Sequence, residues 1–168
     1  MVILEDFYQI FAELSVAFAG FAGVVGAFSK FRVVPEAIAL RVRFLVTLAL
    51  TVLIGSILPP VLIAVRVSEV VTTRVSAFVL ATCITLMAVW AWPKLRSLQR
   101  AGLIHTQIAT AIMYAVWCPI NIALFVVAAG GLAAHAAAIY LGALFFGIVS
   151  CCWLFVLLMF TIDIGRRD

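Results

Sequence analysis

The stretch FYQIFAELSVAFAGFAGVVGAF, residues 7–28, decides the fold of this chain. It is almost entirely apolar and contains a single charged side chain, Glu13. As an α-helix, a run of this length spans a bilayer core of roughly 30 Å. We therefore predict that it forms a transmembrane helix.

The predicted first helix has two different faces when its residues are projected at about 100° per residue. One face carries phenylalanines, which suit contact with lipid. The other carries small residues, which would let a neighbouring helix backbone approach closely, and it also carries the Glu13 carboxylate. We predict that the helix packs against protein through this small-residue face, which consists of Ala17, Gly20, Gly23 and Ala27 in line with Gln9 and Glu13.

The composition of the whole chain supports a membrane environment. Hydrophobic residues make up 67% of its 168 residues, and charged residues make up 11%. Soluble domains have roughly half apolar and about a quarter charged residues, so this chain could not cover a water-facing surface. Its basic residues are scattered through short loops, which argues against a nucleic-acid-binding stripe. The length predicts a single domain, residues 1–168.

Five apolar runs divide the chain, each about as long as a membrane-spanning helix. We predict an all-α fold, a polytopic bundle of five transmembrane helices. The predicted spans are residues 7–28, 44–65, 75–92, 108–129 and 136–160.

The basic residues predict the orientation of this bundle. With five spans, nine of the 11 lysines and arginines fall on one side, and the other two, Arg66 and Arg74, fall on the opposite side. Because cytoplasmic loops carry the excess of Lys and Arg, we predict an outside N-terminus and a cytoplasmic C-terminus. The preference for arginine over lysine fits a bacterial inner membrane.

The second predicted helix is interrupted by Pro59 and Pro60. These residues lack amide protons, so they leave the carbonyls of Gly55 and Ser56 without helical partners. Two structures are compatible with this pattern. The helix kinks and continues, which we favour, or it ends near Leu58 and residues 61–74 lie along the membrane interface.

Glu13 is the only acidic residue well inside a predicted span. Intramembrane acids are costly and usually face protein, so one hypothesis is a proton or cation site or a polar contact between helices. The alternative is an interfacial role, because Glu13 lies near enough to the start of the run to reach the lipid headgroups.

The fourth predicted helix carries a polar face next to Pro119, which frees the carbonyl of Ala115. The face could line a cavity, or Asn121 could simply form an interhelical hydrogen bond, which we favour. The polar candidates on this face are Gln107, Thr110, Tyr114 and Asn121.

Small residues at four-residue spacing predict two further packing seams. Such patterns let helices pack closely in membranes, so together they predict tight packing and a homo-oligomer or a subunit of a larger complex. The seam residues are Thr51 and Gly55 on the second helix and Ala143, Gly147 and Cys151 on the fifth.

The chain has no motif for metal binding, phosphate binding or nucleophilic catalysis, and its four cysteines lie within apolar runs. We therefore expect no enzyme activity, metal or cofactor. The favoured function is a non-catalytic helix-packing module, a scaffold, assembly or accessory subunit whose partners are the lipid bilayer and other membrane subunits or further copies of itself. The alternative is a small homo-oligomeric channel or transporter that uses Glu13 and the polar face of the fourth helix. An enzyme acting on lipid is a third possibility.

Overall fold

The computed structural model of the chain describes residues 2–29, 36–100 and 107–164, with side chains described for 6–24, 39–97, 100 and 114–159. These residues form five α-helices and contain no strand. The helices are α1 (Val2–Ser29), α2 (Glu36–Ala64), α3 (Glu69–Arg100), α4 (Gln107–Ala128) and α5 (Ala136–Ile164), with a 3₁₀ turn (Ala133–His135) before α5.

Four of the helices are long enough and apolar enough to cross a membrane, as judged by length and composition. The all-helical prediction is therefore confirmed. The remaining helix, α4, is apolar over a shorter described stretch, Tyr114–Ala128. The four longer stretches are Asp6–Val24, Ala39–Ala64, Glu69–Ser97 and Ala133–Met159.

Helix α2 continues through Pro59 and Pro60 to Ala64, so it does not end near Leu58. Residues 61–74 therefore do not form a separate interfacial segment. They complete α2, make a turn in which Arg66 has a φ of 64°, and begin α3.

Helix α3 is longer than the sequence predicts at both ends. It begins at Glu69 and continues beyond Pro93 to Arg100, so it extends past both ends of the predicted span 75–92. A proline removes one hydrogen bond from a helix but does not prevent the chain from continuing. In the turns around Pro93, the Lys94 ammonium lies 4.0 Å from the Trp90 ring centre and the Arg96 guanidinium 4.5 Å from the Trp92 ring centre. Such cation–π contacts stabilise this part of the helix.

Helix α2 is the centre of the bundle. It packs against α1, α3 and α5, while α4 packs mainly against α3 and also against α5. The middle of α2 supplies the most deeply buried part of the core. Its side chains there are Leu45, Leu48, Ala49 and Val52.

Helix α1 packs within the chain through a side that contains Phe11, Ser15 and Ala22, roughly opposite to the small-residue face that the sequence analysis selected. Phe11 is buried, and Phe18 and Phe21 lie against the Phe155 ring of α5 with ring centres 6.2 and 4.5 Å away. The aromatic rings offer far more contact area than glycines do, and α5 supplies a matching ring.

The small-residue face of α1 is open. Glu13, Ala17, Gly20 and Gly23 are exposed, and an added Cβ at either glycine would have nothing within 4 Å. Packing through this face therefore remains a prediction, and it would require a second chain. The side chain of Ala27 lies outside the described residues.

The two other predicted seams meet each other between α2 and α5. An added Cβ at Gly147 would lie 2.5 Å from Val52 Cγ2, and one at Gly55 would lie 2.9 Å from Leu144 Cδ2. The lack of side chains at these two glycines is what allows α2 and α5 to approach closely. The other seam residues, Thr51, Ala143 and Cys151, are also buried.

We predict that Gly147→Ala lowers the free energy of unfolding by about 1–2 kcal/mol, because overpacking outweighs the gain in helix propensity. The β-branched Val52 side chain has little freedom to turn away. Gly142→Ala in the same helix is the matched control, because its new methyl group would have nothing within 4 Å. Reversible unfolding in mixed detergent micelles compares the two variants, and equal stability would contradict the predicted contact.

Candidate functional site

The tandem proline of α2 is joined to α5 by a buried hydrogen bond. The Tyr140 hydroxyl donates to the Gly55 carbonyl oxygen at 2.6 Å, and the Tyr140 side chain is almost completely buried. Pro59 has no amide proton to offer this carbonyl, which would otherwise lack a donor. Tyr140 therefore replaces the hydrogen bond that Pro59 removes.

A cavity of about 150 Å³ lies beside this hydrogen bond, and we call it the proline cavity. It is enclosed by the start of α1, the end of α2 and the starts of α3 and α5. Its polar lining comes mostly from the first turns of α3. The lining residues are Tyr8, Pro59, Pro60, Ile63, Glu69, Thr72, Thr73, Ser76, Ala137 and Tyr140.

Two buried hydroxyls in the proline cavity have no hydrogen-bond partner within the described part of the chain. They belong to Thr72 and Ser76, whose side chains are 2% and 0% exposed. The Ser76 oxygen lies near the Tyr140 hydroxyl without completing a hydrogen bond to it. Serine and threonine hydroxyls in helices can donate to a carbonyl one turn earlier, as Ser56 does to Val52. Thr72 and Ser76 do not, so their hydroxyls are available to a guest in the cavity.

A second cavity, of about 220 Å³, lies between α3 and α4 and includes part of the predicted polar face of α4. Asn121 Nδ2 donates to Thr85 Oγ1 at 2.8 Å, and Thr85 Oγ1 donates to the Ala81 carbonyl oxygen at 2.8 Å. Asn121 Oδ1 is buried without a partner. The interhelical hydrogen bond and the cavity therefore occur together. Tyr114 lines the same cavity, but the side chains of Gln107 and Thr110 lie outside the described residues.

The unpartnered buried polar atoms of the described side chains occur at the two cavities. Among the described side chains, the buried oxygens or nitrogens without a partner are Thr72 Oγ1, Ser76 Oγ and Asn121 Oδ1. All three belong to residues that line one of these cavities. Because an unpaired buried polar atom is costly, each cavity needs an occupant, either water or a ligand.

Glu13 is separate from both cavities. It is exposed on the outward face of α1, and its carboxylate accepts a hydrogen bond from Gln9 Nε2 at 2.9 Å. Asn121 instead faces Thr85 on α3. The structure does not bring the two predicted polar candidates together in one site.

A shallower groove of about 190 Å³ adjoins the proline cavity and shares Glu69, Thr73 and Ala137 with it. Arg74 also lines this groove, and its guanidinium lies against Gly130 in the turn after α4. Gly130 has a φ of 94°, and an added Cβ there would lie 2.8 Å from an Arg74 nitrogen. Glycine at position 130 therefore permits both the positive φ of the turn and the close approach of the Arg74 guanidinium.

No cluster of three His, Cys, Asp or Glu side chains that could hold a metal ion occurs among the described residues. The polar groups at the two cavities and the groove include several hydroxyls, the Asn121 amide, the Glu69 carboxylate and the Arg74 guanidinium.

The sequence analysis did not identify Glu69, Thr72, Ser76 or Tyr140 as site residues. The sequence does contain a pattern that could have identified two of these residues. Thr72 and Ser76 are four residues apart, so they share one helix face, and their helix follows the tandem proline directly.

Comparisons of the chain with protein-family models, with curated proteins and with solved structures found no match.

We predict that Thr85→Val lowers the free energy of unfolding by about 1 kcal/mol, the usual value of an interhelical hydrogen bond in a membrane protein. The substitution keeps the shape of the side chain but leaves the Asn121 amide without its acceptor. Thr82→Val is the matched control, because the Thr82 hydroxyl donates to the Phe78 carbonyl of the same helix at 2.8 Å. Unfolding in detergent micelles measures both variants. A cost for Thr82→Val as large as that for Thr85→Val would contradict the assignment.

Proposed function

We propose that this protein is a multi-pass integral membrane protein of a bacterial inner membrane and that it acts as a non-catalytic helix-packing module. Membrane insertion is supported by the four long apolar helices and by large apolar side chains on the outside of the bundle. Val89, Leu86 and Phe145 are at least 60% exposed, which is unfavourable in water and favourable in lipid.

The proposed orientation places the N-terminus outside and the C-terminus in the cytoplasm. The end of α3 supports it, because Trp90 and Trp92 are followed at once by Lys94 and Arg96. Tryptophans collect at the membrane–water interface, and basic residues collect on its cytoplasmic side.

Labelling with a membrane-impermeant maleimide tests this orientation in a variant without the four native cysteines. We expect Ala134→Cys, before α5, to react from the outside and Ser97→Cys, at the end of α3, to react from the cytoplasmic side. Helix α4 must cross the membrane to separate these positions. Reaction of both positions from the same side of sealed vesicles would show that it does not.

The open face of α1 is the observation that carries the packing role. In lipid, this face would expose the Glu13 carboxylate and two glycines to hydrocarbon, although α1 is apolar enough to span the membrane. A charge well inside the bilayer is costly, and a small-residue face is suited to a second helix. A second copy of α1, or a helix of another membrane subunit, would cover both features.

We predict that the purified protein forms a homo-oligomer and that Gly23→Leu dissociates it, because the new side chain would hold the helices apart. Gly142→Leu is the matched control, since Gly142 is an equally open glycine on α5. Native mass spectrometry from detergent gives the number of subunits. A monomeric wild-type protein, or equal dissociation by both substitutions, would contradict packing of identical chains through α1.

A small homo-oligomeric channel or transporter is the second candidate, favoured by the unpartnered Asn121 oxygen in the cavity between α3 and α4. Reconstitution into liposomes separates the two candidates. Selective flux that falls with Asn121→Ala or Glu13→Gln supports transport, whereas absence of flux supports the packing module.

A further inference from the structure

We propose that the proline cavity binds a primary ammonium group, carried either by the ethanolamine headgroup of a phospholipid or by a small soluble amine. This inference goes beyond the packing role. It depends on the residues around Thr72 and Ser76, none of which belongs to the open face of α1.

The hydrogen-bond donors and acceptors that line the cavity identify the class of ligand. The Tyr140 proton is already donated to the Gly55 carbonyl, and the Thr73 proton is donated to the Glu69 carbonyl at 2.9 Å. Both hydroxyl oxygens can therefore act only as acceptors towards a guest. The Glu69 carboxylate, at the exposed rim, adds further acceptors and a negative charge.

The unpartnered hydroxyls of Thr72 and Ser76 complete this set. Each has two lone pairs and one proton, so acceptors outnumber donors among these lining groups. An ammonium group supplies three donors and a positive charge, and it complements such a lining directly. Water alone could satisfy the two hydroxyls, whereas an ammonium group would also meet the negative charge of Glu69.

The size and walls of the cavity favour an organic ammonium over a bare metal ion. A volume of about 150 Å³ exceeds the space that one ion needs and is suited to a group of several heavy atoms. Tyr8 and Tyr140, whose ring centres are 6.4 Å apart, lie in the wall, and aromatic faces attract organic cations.

The adjoining groove suggests how a lipid headgroup would fit. Arg74 lines this groove, which shares Glu69 and Thr73 with the cavity. An ethanolamine headgroup carries an ammonium next to a phosphate, so the ammonium would enter the cavity while the phosphate meets the Arg74 guanidinium. A soluble amine would use the cavity alone.

The test uses the full-length protein in detergent with two probes. Native mass spectrometry measures retention of phosphatidylethanolamine, phosphatidylcholine and phosphatidylglycerol, and calorimetry measures binding of ethanolamine. We expect phosphatidylethanolamine to be retained in preference to phosphatidylcholine, whose quaternary nitrogen has no proton to donate. Ethanolamine binding without lipid identifies a soluble amine as a sufficient ligand, whereas retention of the lipid alone identifies the headgroup.

Two variants connect the binding to the cavity. Glu69→Gln is expected to weaken binding by about tenfold, since it removes the charge from an exposed acceptor. Ser76→Ala is expected to weaken binding severalfold while leaving thermal stability unchanged or raised, because the hydroxyl has no partner to lose. Glu13→Gln is the matched control, and binding should not change.

Three results would overturn the proposal. The first is binding of neither probe by a folded wild-type protein. The second is equal retention of phosphatidylethanolamine and phosphatidylcholine by a protein that does not bind ethanolamine, which would mean that donated protons are not recognised. The third is equal weakening of binding by Glu69→Gln and Glu13→Gln, which would place the ammonium elsewhere. None of these results depends on whether the chain forms oligomers through α1.

Discussion

The hydrogen bond from the Tyr140 hydroxyl to the Gly55 carbonyl is the interaction on which the rest of the bundle depends. Two consecutive prolines lie inside α2, the helix that contacts three of the other four. In apolar surroundings, a backbone carbonyl that loses its amide partner is costly unless another donor reaches it. Tyr140 supplies that donor from α5 at the point where Gly55 has no side chain to keep the two helices apart. The proline interruption thus becomes a fixed contact between helices.

The same arrangement creates a core on one side of the prolines and a cavity on the other. Towards the middle of the bundle, Gly55 and Gly147 let α2 and α5 pack closely. Towards the end of the bundle, the proline rings offer no polar group to the hydroxyls of Thr72 and Ser76, which therefore face a cavity without partners. The closely packed glycine contacts and the candidate ligand site therefore lie on opposite sides of the tandem proline.

Hydrophobic runs predict that this chain is helical and apolar, because the length and polarity of each run are local properties. The faces of α1 were predicted less well. Small residues indicate where a helix could pack, but Phe18 and Phe21 instead contact the Phe155 ring of α5. This contact depends on how α1 and α5, which are far apart in the sequence, pack together. Tyr140 illustrates the same limit. The sequence shows that Pro59 frees the Gly55 carbonyl, but only the packing of α2 on α5 shows which hydroxyl replaces the amide. The hydroxyls of Thr72 and Ser76 became visible as a site only when the helices around them were in place.

A double-mutant cycle between Tyr140→Phe and Pro59→Ala tests the central interaction most directly. In the wild-type background, Tyr140→Phe should lower the free energy of unfolding by about 1–3 kcal/mol, because it leaves the buried Gly55 carbonyl without a donor. In the Pro59→Ala background, the restored backbone amide can serve that carbonyl, so the same substitution should cost clearly less, and the two changes should not be additive. An equal cost of Tyr140→Phe in both backgrounds would contradict the account, because it would mean that Tyr140 does not replace the hydrogen bond removed by Pro59.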